Sequence, residues 1–202
     1  MSDQPVPARP GRHRSEASRM AILTAAYELT AELGYAGLTI EGIAARSGAG
    51  KQTIYRWWPS KADVLLDALA TKADLYVPIP DTGVYRQDLH DFLEASLALG
   101  RRQPVIHALR ALMAQAQLDE DFGRRFREKF LQRRRDALAV LVERARDRGD
   151  LPPSPPAKAI PEIVFGMTWY RLLATREPLD SHLIDTLLGL LAPTGPDERS
   201  TP

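Results

Sequence analysis

Between Leu38 and Lys61 the chain reads LTIEGIAARSGAGKQTIYRWWPSK, and the Gly48-Ala49-Gly50 step inside it limits the fold more than any other stretch. Two glycines interrupt one short apolar period, and a second short period begins at once. That pattern calls for a tight turn between two helices rather than one long helix. Thr39 is placed to cap the first helix, whose Ile40, Ile43 and Ala44 share a face. The second helix starts near Lys51 and sets Ile54 and Trp58, four residues apart, on an inward face. Its other residues, Lys51, Gln52, Thr53, Tyr55 and Arg56, are of the kinds that bond phosphates and base edges. Lys61 follows at the start of the next helix. The segment therefore predicts a helix-turn-helix with its second helix turned toward duplex DNA.

The rest of the chain predicts an all-α fold. Residues 1–14 are Pro- and Arg-rich without periodicity and are expected to be a flexible arm. A helix is expected from Ser15 to about Leu33, with Met20, Leu23, Tyr27, Thr30 and Ala31 near one stripe and Gly34 ending it. Ser60 with Asp63 forms a capping-box variant for a helix carrying Val64, Leu65, Ala68 and Leu69 to about Asp74. Val77–Gly83 reads as a linker. Helices are then expected over about 85–101, 104–118, 120–148, 157–175 and 180–191, punctuated by Pro104, Gly149 and Pro152-Pro153. In the third of these, Phe122, Phe126, Phe130, Leu138, Leu141 and Ala145 recur at helical spacing as a buried stripe. The expected organisation is a flexible arm over 1–14, a helix-turn-helix domain over 15–61, a helical domain over 62–192 and a flexible tail over 193–202.

Composition narrows the function classes. With 202 residues, 44% of them hydrophobic, the chain can bury a substantial core. It has no cysteine, hence no disulfide framework and no Cys-based metal site. The net charge of +1 is unevenly placed, at +3 over residues 1–61 and −2 over the remainder, so the positive end coincides with the helix-turn-helix. The run Ile163–Ala174 contains Arg171 and is too short to cross a membrane, and no signal-peptide core is present; a cytoplasmic protein is expected. No phosphate-binding glycine loop, nucleophile elbow or zinc spacing occurs, and His13, His90, His107 and His182 are scattered, so neither an enzyme nor a cofactor is expected. Asp119-Glu120-Asp121 reads as charge at a helix start, and the basic run from Arg124 to Arg135 as a solvated helix face. A helical dimeric interaction module without sequence-specific DNA binding is the alternative, and it leaves Lys51–Arg56 unexplained.

Ala25-Ala26, Leu33-Gly34-Tyr35, Thr39-Ile40-Glu41-Gly42-Ile43-Ala44, Gly48, Thr53-Ile54-Tyr55, Trp58 and Lys61 together resemble the tetracycline-repressor-like (TetR) family of transcriptional regulators. The likeness is specific over residues 16–66 and architectural beyond them. It implies phosphate contacts from Thr39, Tyr55 and Lys61, and groove-facing roles for Lys51, Gln52, Thr53 and Arg56. Two positions depart from the pattern. Gly50 stands where a capping Ser or Thr is common, and Trp57 where many members have His or Arg; Trp57 retains an indole N–H for a phosphate but brings no charge. The resemblance further implies a homodimer on a palindromic operator, repression relieved by a small effector, and no membrane partner. The dimer surface would come from the last two helices, through Phe165, Gly166, Trp169, Tyr170, Leu173, Leu183, Leu187 and Leu191. An apolar or aromatic effector would meet Leu97, His107, Arg110, Met113, Phe126, Phe130 and Trp169. A nucleoid-associated location would follow.

Overall fold

The computed structural model of the protein describes residues 10–193, and every regular element among them is helical. They fall into two compact units that part between Leu69 and Ala70. The first unit contains α1 (Pro10–Gly37), α2 (Ile40–Ser47), α3 (Lys51–Trp57) and the opening turns of α4 (Lys61–Tyr76). α1 begins five residues before Ser15, so residues 10–14 are helical backbone rather than part of an irregular arm. Residues 1–9 of the expected arm and 194–202 of the expected tail lie outside the described residues.

Why these short helices hold together follows from small residues and specific polar ties. α1 buries Ile22, Leu23, Ala25, Ala26, Leu29 and Thr30, while Ala31 is exposed and Met20 and Tyr27 lie at the margins. The buried stripe is thus turned from the expected one, because Ala25 and Ala26 let α2 pack closely against α1. Thr30 tolerates burial by donating its hydroxyl to Ala26 O at 2.7 Å. Gly34 takes φ 70° and ψ 174°, which kinks α1 where its end was expected. Arg46 of α2 donates to both carboxylate oxygens of Glu32, at 2.9 and 2.8 Å, with Glu28 at 3.6 Å. This fork fixes α2 on α1 with a geometry Lys cannot reproduce.

The turn follows the expected chemistry. Thr39 Oγ1 accepts from Gly42 N at 3.0 Å and caps α2. Gly48 ends α2 in the left-handed region at φ 71°, a conformation costly for a residue with a Cβ. Gly50 caps α3 through its backbone alone. Ser60 Oγ accepts from Asp63 N at 3.2 Å and donates to Asp63 Oδ2 at 2.6 Å, so the capping-box variant is present.

The second unit contains the end of α4 and the remaining helices: α5 (Tyr85–Gly100), α6 (Gln103–Leu118), α7 (Glu120–Phe126), α8 (Arg133–Arg148), α9 (Ile160–Tyr170) and α10 (Ser181–Leu191). The helix expected over 120–148 is interrupted by a π turn at Arg127–Gln132, whereas that expected over 157–175 opens on a 3-10 turn, Ala157–Ala159, and closes on a π turn, Arg171–Thr175. α6 and α7 form a close hairpin at Gly123, where a Cβ would stand 2.6 Å from Ala116 O. The linker before α5 is pinned from both sides. Buried Asp88 accepts from Thr82 N at 2.6 Å and from Arg148 Nη2 at 3.3 Å. Asp150 accepts from Tyr85 N at 3.0 Å and from the same Arg148 nitrogen at 3.3 Å. A buried carboxylate persists only with such partners. At the far end of α4, Asp74 accepts from Arg133 and Arg134 of α8 at 2.9 and 3.0 Å.

Candidate nucleic-acid interface

α3 has two faces of opposite character. Ile54 and Trp58 point inward with 0% and 2% exposure, and the Trp58 indole donates to Asp67 Oδ2 at 2.8 Å. Lys51, Gln52, Tyr55 and Arg56 are exposed, Thr53 and Trp57 half-buried. Gln52 and Arg56 are four residues apart, as are Lys51 and Tyr55, so each pair stands on one line of the helix surface. Tyr55 leaves 54% of its surface in solvent. A large aromatic this exposed is not a core residue.

The charges of this unit are unequally matched. Arg19 is held near Glu16 and Asp67, Arg46 by Glu32 and Glu28, and Lys51 by Glu41. Among the described residues, Arg56 has no carboxylate partner; its guanidinium lies 5.7 Å from the centre of the Trp57 ring. Trp57 in turn packs edge-on against Trp58, with centroids 5.4 Å apart and planes at 77°. It therefore bridges the buried Trp58 and the exposed Arg56. Lys61 donates to Tyr35 O and Leu38 O at 3.1 and 2.8 Å, with its ammonium 4.7 Å from the Tyr35 ring centre. Two of its three protons thus join the start of α4 to the end of α1 and to the step between α1 and α2, and one remains for another acceptor. Burial, with Asp63 nearby, raises the Tyr35 phenol above its ordinary value, so this ring is neutral at any working pH.

The contact that reading the residues in order passed over is Glu41–Lys51. Glu41 Oε1 accepts from Lys51 Nζ at 2.7 Å across the turn. A ten-residue separation gives no helical periodicity to reveal such a pair; only opposite charge on either side of a glycine turn hints at it.

Known proteins decide what this geometry belongs to. Residues 22–68 match the bacterial regulatory proteins of the tetR family, and residues 79–191 match the tetracyclin repressor-like C-terminal domain. The chain belongs to the TetR family. Over 181 residues it is 35% identical to the HTH-type transcriptional regulator YdeS of Bacillus subtilis (strain 168), covering 88% of this chain and 90% of that one. The crystal structure of the TetR-family transcription regulator SCO0332 superposes with a TM-score of 0.78 at 33% identity, covering 89% of this chain and 99% of that one. A regulator from Saccharomonospora viridis, solved in complex with choline, shares the fold at TM-score 0.61 and 21% identity, covering 85% and 94%. The TetR-family assignment makes this chain a helix-turn-helix transcriptional regulator that binds DNA, and it disfavours an interaction module without that activity. Among the described residues no helix is long and apolar enough to cross a membrane.

In this TetR-family chain the expected dimer residues divide. Leu183, Leu187 and Leu191 have 0% exposure and belong to the chain's own core, where α10 packs on α5. They are not available to a partner, because one i, i+4 row of α10 can face only one way. Gly166, Tyr170 and Leu173 are exposed, Phe165 and Trp169 half-buried, and α10 turns Gly189 and Leu190 outward instead. The expected effector residues divide too. Phe126 stacks on Phe130 at 5.8 Å and meets Trp169 edge-on at 6.2 Å, next to both π turns. Leu97 is buried and Met113 half-buried. His107 is exposed, which removes it as an interior anchor, and half-buried Arg110 donates to Leu172 O at 2.7 Å, a tie between α6 and the second π turn. A separate groove of about 300 Å³ lies along α8 and α9, lined by Arg135, Asp136, Glu143, Arg146, Lys158 and Pro161 among others, and is more polar than an apolar effector needs.

Proposed function

We propose that this regulator is a repressor whose α3 reads an operator half-site in the major groove. Arg56 and Gln52 address base edges, as guanine O6/N7 and adenine N6/N7 suit them. Thr39, Lys51, Tyr55 and Lys61 contact phosphates, with Thr53 and Trp57 flanking the groove-facing row. The observation that carries this reading is Arg56, an exposed guanidinium on the face opposite Ile54 and Trp58 that has no carboxylate partner among the described residues. Thr39 fits its part because its oxygen serves Gly42 N while its O–H remains to donate. A homodimer through the exposed Gly166, Tyr170, Leu173 and Leu190 would present two such helices to a palindrome. An apolar or aromatic effector engaging the Phe126, Phe130 and Trp169 cluster would release the DNA, since π turns often mark adaptable functional sites. Such a protein works in the cytoplasm on the nucleoid.

Selection from a fragmented genomic pool at moderate salt tests the reading: recovery of a short palindrome is expected, and enrichment of no sequence would overturn it. Tyr55→Phe removes one exposed hydroxyl. Titrations of the selected palindrome and of random duplex should show both affinities falling together, by about two- to tenfold, with an unchanged melting temperature. A loss confined to the palindrome would reassign Tyr55 from phosphate to base contact.

A further inference from the structure

Lys51 does not meet DNA as an isolated charge. Its ammonium is 2.7 Å from Glu41, with 55% and 64% of the two side chains exposed. The pair joins the first turn of α2 to the first turn of α3, on the side of the unit that α3 presents to solvent. Hydrogen bonding by Lys51 holds the Glu41 carboxyl below the ordinary glutamate range, so the acid is ionised at neutral pH. Arg46 in the same unit is likewise neutralised, but by acids of α1 that serve the packing of α2. Glu41 has no such packing role.

We propose that Glu41 is a specificity-determining residue that suppresses indiscriminate DNA attraction by masking Lys51. The proposal rests on the DNA-facing reading of α3. Two opposite charges this close form a dipole, whose field dies away within a few ångströms and is negligible at a Debye length of about 8–10 Å. Lys51 then adds almost nothing to the long-range pull that any duplex exerts. At contact the situation changes. A solvent-exposed pair holds only weakly, so Lys51 readily exchanges Glu41 for a phosphate once α3 has docked. The pair thus rewards close docking and withholds charge from loose, register-free complexes, where binding is almost wholly phosphate neutralisation.

The experiment compares wild type, Glu41→Gln, Lys51→Gln and the double variant on random-sequence duplex, by fluorescence anisotropy from about 50 to 200 mM salt. Glu41→Gln should bind random duplex about fivefold more tightly at the low-salt end, with a log–log salt slope steeper by about 0.9 for each protomer engaged. In the Lys51→Gln background the same change should have little effect. Equal affinity of Glu41→Gln and wild type would overturn the proposal, as would an equal gain with Lys51 absent, which would make Glu41 a general negative charge and not a mask. These outcomes are separate from the operator reading: a wild-type protein that selects a palindrome while Glu41→Gln changes nothing keeps that reading and sinks this one. Coupling of Glu41 and Lys51 in a protein that selects no palindrome does the reverse.

Discussion

Arg56→Ala should lower affinity for the selected palindrome by about 30-fold or more while leaving the melting temperature within about 2 °C of wild type. The two halves of this expectation come from different observations. Arg56 is exposed and without a carboxylate partner among the described residues, so truncation removes no ion pair from the folded chain. Surface changes of that kind fall within about 0.5 kcal/mol. A bidentate guanidinium–guanine contact discriminates bases by about 1–3 kcal/mol, and a dimer makes it twice. Affinity for random duplex should fall much less, so the ratio of the two affinities is the informative readout. Anisotropy titrations on both duplexes, with a calorimetric melt, measure all three. A palindrome-to-random ratio unchanged by the substitution would remove Arg56 from base reading and shift that role to Gln52.

Much of the DNA-facing unit was legible because its constraints are local. A glycine pair with a left-handed residue, a threonine cap and a serine–aspartate capping box act over two to four residues, and each stands where its sequence spacing puts it. Ile54 and Trp58 follow from helical period alone. What escaped the sequence depends on residues far apart in the chain. The Glu41–Lys51 pair, the Arg46 fork and the anchoring of Lys61 on the carbonyls of Tyr35 and Leu38 each join positions ten or more residues apart. In the second unit, helix extents were readable but the facing of α10 was not. An apolar row on a terminal helix can turn toward its own core or toward a partner, and composition does not distinguish them. Leu183, Leu187 and Leu191 turn inward; Tyr170 and Leu173 stay out. The π turns escaped as well: the first spans mostly polar residues, and the second ends its helix, so no apolar row follows it to record the change of register.

The adjacent tryptophans give the sharpest contrast in stability. Trp58→Ala should destabilise the DNA-facing unit by about 3–5 kcal/mol, lower its melting temperature by about 10 °C or more and abolish operator binding. Trp58 is 2% exposed, fills the space under α3, and donates its indole N–H to Asp67. No small residue replaces both the volume and the donor. Trp58→Phe restores most of the volume without the donor, so it should recover part of the stability and most of the binding. Trp57→Ala should behave differently. Trp57 is half-buried, and its edge-on contact with Trp58 is worth about 0.5–1.5 kcal/mol. Its further effect runs through Arg56, whose guanidinium lies over its ring. Trp57→Ala should therefore reduce operator affinity in the wild-type background and have little effect once Arg56 is alanine. A reduction of equal size in both backgrounds would mean that the indole meets DNA itself, through its N–H and a phosphate. A Trp58→Ala protein that melts like wild type would refute the assignment of Trp58 to the core that holds α3 in place.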